Sequence, residues 1–127
     1  MDRPLDLVCK GSAAVLDSVH SLALRSALDG LALRQRVTAN NIANVNTPGF
    51  HAQRVSFEDA LARSVSMGGG SVQATTESSL EPTRLNGSNV NLDTETLSNI
   101  DTVLRFQFAA RAVESPFTGV RAALRTS

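Results

Sequence analysis

The residues best able to do chemistry are Cys9, His20, His51 and twelve scattered acids. A nucleophilic site needs a nucleophile, a base and an orienting group within hydrogen-bond reach of one another. Neither histidine has a Ser, Cys or carboxylate at a spacing that would build one, so both read as surface or interface residues. A metal centre needs three or four ligands in a recurring pattern, and no such spacing of His, Cys and acids occurs. The single cysteine cannot form an internal bridge, and Cys9 reads as an incidental thiol. Gly68-Gly69-Gly70 lacks the preceding strand and the Lys-Ser/Thr of a phosphate-binding loop, and reads as a linker. No catalytic, cofactor-binding or metal residue is therefore expected, nor any small-molecule substrate.

The chain of 127 residues and 13.4 kDa allows one domain. Twelve basic and twelve acidic residues give a formal net charge of zero, so bulk attraction to nucleic acid or anionic lipid is not expected. The aromatics are five Phe, with no Trp or Tyr, which leaves no stacking platform for single strands. No run approaches 18 apolar residues, so no membrane span is expected. The start, Met1-Asp2-Arg3-Pro4, lacks a basic region followed by an apolar core, so a cleavable secretory signal is not expected either.

Two long helical patterns must position whatever this protein presents. Residues 1–12 carry Pro4 and Gly11 and read as a flexible N-terminus. Residues 13–46 read as the N-terminal helix, with Leu24, Leu28, Leu31 and Ile42 on one stripe. Arg25, Arg34 and Arg36 lie off that stripe. Residues 47–63 hold a type II turn at Pro48-Gly49, an extended stretch, and a short helix from Glu58 with Ser56 as its cap. Residues 64–92 are polar and Gly/Ser-rich, and read as a loop or a small β-hairpin. Residues 93–127 form the C-terminal helix, with acids at its start and a kink expected at Pro116.

The C-terminal helix carries two adjacent apolar stripes. Val103, Phe106, Ala110, Val113, Phe117, Val120 and Leu124 are spaced three and four apart. Leu97, Ile100, Leu104 and Phe108 form the second. One intramolecular partner covers one stripe, so the other asks for further subunits. The fold expected is mainly α, with two long terminal helices packed antiparallel in a coiled-coil-like pair. The stripe residues are the expected subunit interface.

The least ordinary stretch is Ala39-Asn40-Asn41-Ile42-Ala43-Asn44-Val45-Asn46-Thr47-Pro48-Gly49-Phe50. Its asparagines read either as a C-capping run before a turn or as amides that bond neighbouring chains. The stretch resembles the N-terminal signature of the bacterial flagellar rod and hook proteins, through Asn40, Asn41, Ile42, Asn44, Asn46, Thr47, Pro48, Gly49 and Phe50. Asn86-Gly87-Ser88-Asn89-Val90-Asn91-Leu92-Asp93-Thr94-Glu95 is similar to that family's segment before its last helix. The short chain and Leu104-Arg105-Phe106-Gln107 are closest to its proximal-rod members, with FlgC-type rod proteins as the neighbouring alternative.

The resemblance implies a structural rod subunit of the flagellar basal body, needed for motility and exported without a cleavable signal. Its implied partners are other rod subunits (FlgC-type), the basal adapter FliE and the export gate. Phe57 and Leu61 resemble the export-gate recognition pattern, and read equally as one helix turn with both residues on one face. A cytoplasmic helical adaptor or chaperone of the export system is the alternative from another class.

Overall fold

The computed structural model describes the backbone of residues 3–125 and the side chains of residues 18–114. The elements are α1 (Arg3–Ala43), β1 (Gln53–Ser56), α2 (Glu58–Ser66), β2 (Thr75–Ser78) and α3 (Leu92–Arg125). The chain is thus mainly α, with one two-stranded antiparallel sheet. Among the described residues, no helix is long and apolar enough to cross a membrane.

α1 begins at Arg3, before the expected start at residue 13. Pro4 falls in the first turn, where its missing N–H has no intrahelical partner to lose. Gly11 costs a helix about 1 kcal/mol, too little to break a long one. α1 ends at Ala43 rather than 46, because Asn44 turns the chain. The Asn44 N–H is shared between the carbonyls of Asn40 and Asn41, at 3.2 and 3.1 Å. Its side-chain amide donates to the Asn40 carbonyl at 2.8 Å. The expected type II turn follows, with Phe50 N–H donating to the Thr47 carbonyl at 3.2 Å and Gly49 at φ 73°.

α2 starts at Glu58 with Phe57, and not Ser56, as its N-cap residue, and extends to Ser66. Ser56 is held in β1 opposite Thr75, so it cannot cap. The Glu58 carboxylate folds back and accepts the Phe57 N–H at 3.3 Å. A hairpin inside 64–92 does not form. β2 instead pairs with β1 across α2, Gln53 opposite Ser78 and Ser56 opposite Thr75. The reason is anchorage: β1 carries Val55, buried with Leu31 and Phe57, whereas β2 is exposed along its length. β2 therefore forms on the strand that the core already holds.

α3 begins at Leu92, one residue earlier than expected. Asn91 Oδ1 accepts the N–H groups of Asp93 and Thr94, at 3.1 and 3.4 Å, as an N-cap does. α1 and α3 pack along one another. Asn41, near the end of α1, meets Glu95 in the first turn of α3. Farther along, Phe106 packs on the cluster around Leu31, and Ala27 and Ala109 line one groove.

Candidate assembly site

The signature asparagines divide by position. Asn41 is 1% exposed and ties three elements together. Its Nδ2 donates to the Gln53 carbonyl at 2.8 Å and to Glu95 Oε2 at 3.1 Å. Its Oδ1 accepts the Gln53 N–H at 3.0 Å. Only an amide offers both donors and an acceptor at this reach without adding charge. Asn44 works locally, its Oδ1 accepting the Thr47 hydroxyl at 3.1 Å. Asn40, Asn46, Thr47, Pro48 and Gly49 are exposed, while Ile42 and Phe50 are half-buried.

A second strap holds the turn. Arg84 Nη2 donates to the carbonyls of Val45 and Val90, at 2.9 and 2.8 Å. The Gly49 N–H donates to the Asn86 carbonyl at 2.9 Å. Asn89, buried, accepts the Ala52 N–H at 2.6 Å and donates to the carbonyls of Ser79 and Glu81. The segment before α3 is thus the frame that fixes the turn at the end of α1.

The other anchor is Phe57, 4% exposed against α1. Arg34 lies over its ring, the guanidinium carbon 5.0 Å from the centroid. Arg34 also donates to the Val55 carbonyl at 3.0 Å and pairs with Glu58 at 2.6 Å. Burial pushes the Glu58 carboxyl up, but the hydrogen bond and charge of Arg34, with backbone N–H bonds, outweigh it and hold it below its ordinary value. Phe57 and Leu61 line an open apolar groove of about 340 Å³ between the three helices, together with Ala27, Leu31 and Ala109.

The two stripes of α3 part company. Val103, Phe106, Ala110 and Val113 are half-buried on the side of α1. Leu97, Ile100, Leu104 and Phe108 remain 68%, 53%, 61% and 77% exposed. On α1, Leu31 is buried while Leu24 and Leu28 are half-buried. Side chains of Cys9, Pro116, Phe117, Val120 and Leu124 lie outside the described residues.

The uncovered apolar stripe begins at Leu97, two residues past Glu95, and so starts beside the end of α1 that carries the signature turn. Residues 22–51 match the family described as flagella basal body rod protein. Over that segment, the chain is similar to flagellar basal-body rod proteins. The chain is 55% identical over 38 residues to the flagellar basal body rod protein FlgB of Borrelia hermsii, covering 30% of this chain and 28% of that one. It is 49% identical over 48 residues to FlgB of Agrobacterium fabrum, covering 38% and 35%. It is 41% identical over 64 residues to the flagellar basal-body rod protein FlgG of Caulobacter vibrioides, covering 48% and 24%. The chain thus spans about a quarter to a third of the length of these relatives.

The contacts of four residues of this site have no local signal in the sequence. Arg34 is off-stripe in the sequence, and its partners are 21 and 24 residues away. Glu95 suits the helix dipole by position, yet it is buried against Asn41. Arg84 and Asn89 act through backbone groups, which leave no trace in side-chain spacing. The resemblance before the last helix covers Asn89 and Glu95 without indicating what either contacts.

Proposed function

We propose that this chain is a non-enzymatic structural subunit of the flagellar basal-body rod, of the FlgB type, and is needed for motility. The observation that carries the reading is the rod signature at residues 22–51, set in a fold whose α3 stripe is left uncovered. α1 and α3 act as an antiparallel, coiled-coil-like pair whose free faces meet other subunits. Leu24, Leu28 and Ile42 on α1, with Leu97, Ile100 and Leu104 on α3, supply those contacts. FlgC-type subunits, the adapter FliE and the export gate are the partners. The chain is exported from the cytoplasm and works in the periplasmic rod.

A heterologous contact between such faces extends a filament, as an axial rod requires. The test is complementation of a clean deletion strain by Leu97→Asp with Leu104→Asp. Both residues are exposed, so the variant is expected to fold and to be made at the normal level. The expected result is loss of motility. Normal motility would overturn the assignment of the stripe to assembly.

A further inference from the structure

The exposed face of α3 has an order along its length as well as a stripe. At about 100° per residue, Leu97, Ile100 and Phe108 fall within about 40° of the line through Leu104. Asp93 and Arg111, both exposed, fall about 20° from that line on the same side. The face therefore reads acid, then apolar, then base from its N-terminal to its C-terminal end. Glu95, Thr102 and Ala109 are buried on the opposite side, toward α1.

The order is symmetric. The point midway between Asp93 and Arg111 is also midway between Ile100 and Leu104. Turned end over end, the face is its own complement. Asp93 then meets Arg111 of a second copy at both ends, Ile100 meets Leu104 across the centre, and Leu97 and Phe108 fill the flanks. The paired stretch runs about 27 Å along the helix. A parallel arrangement would set Asp93 against Asp93 and Arg111 against Arg111, which like-charge repulsion disfavours.

We propose that the free chain forms an isologous, antiparallel dimer through this face of α3. Such a contact is self-complementary and closes on itself, so it cannot propagate. It goes beyond the rod reading, since it covers the stripe while the chain is outside any filament. Four large apolar side chains per copy make a small interface, so the dimer dissociates readily on dilution.

Sedimentation of the full chain tests this from about 1 to about 200 µM, the range in which an interface of this size equilibrates. The mass is expected to rise from 13.4 kDa toward twice that value and no further. Asp93→Arg or Arg111→Asp alone raises the dissociation constant about tenfold or more, and the two together restore it to within about threefold. Leu104→Asp abolishes the dimer with an unchanged far-UV spectrum. A monomer throughout would overturn the proposal and leave the stripe to another partner. A dimer indifferent to these changes would place the contact on another face. Open-ended growth would mean head-to-tail contacts instead. None of these outcomes depends on motility, so the rod reading stands or falls separately.

Discussion

Gly30 leaves the hollow in α1 that the Phe57 ring fills. A Cβ at residue 30 would stand 2.6 Å from Cδ1 of that ring. In an exposed helix interior, Gly→Ala gains about 1 kcal/mol. Here the ring is buried and held from above by Arg34, so it cannot withdraw. Gly30→Ala is expected to destabilise the chain by about 1–3 kcal/mol, the cost of overpacking. Urea unfolding measures it, and a stabilised variant would show that the ring is free to move.

Asn41 gives the second prediction. Asn41→Asp loses both donors and sets a carboxylate beside buried Glu95. The cost expected is about 3 kcal/mol, that of a buried uncompensated charge. Glu95→Gln restores a donor facing residue 41, so the double variant should recover part of the loss. Equal, additive losses in a double-mutant cycle would mean that the two side chains do not interact.

These two contacts mark how far the sequence could be read. The long helices and the turn were legible because their signals are local: periodic Leu and Val, and Pro48-Gly49 with Gly in the left-handed region. The partition of the two α3 stripes was legible too, since one neighbour covers one face. The β1–β2 pairing was not, because β2 has no apolar alternation and forms only on β1. Nor was the start of α2, where Phe57 takes the N-cap position without a side-chain cap and Ser56 is held in β1. The signature asparagines were legible as a group, but only the fold separates buried Asn41 from exposed Asn40 and Asn46.

The Arg34–Glu58 pair gives a pH dependence. The folded Glu58 carboxyl lies below its ordinary value, so its contribution is present above the unfolded glutamate range and is lost as pH falls through the folded value. The Glu58 side chain is 42% exposed, which limits the contribution to about 1 kcal/mol or less. The stability difference between the native chain and Glu58→Gln should be constant above about pH 5 and shrink below about pH 4. A difference that grew on acidification would reverse the assigned sign.

Phe57 is buried in the folded chain, so an export gate that reads it must meet it before folding. Phe57→Ala with Leu61→Ala is expected to lower secretion without lowering the cytoplasmic level. Val55→Ala damages the same core and serves as the control that still secretes. Equal secretion by both variants would reduce the two residues to a packing role.

The rod assignment is tested most directly by isolating basal bodies from a deletion strain complemented with a tagged copy. Tag in the purified rod fraction, with no filaments in the uncomplemented deletion, is the predicted result. Tag confined to the cytoplasm, with filaments intact in the deletion, would contradict it.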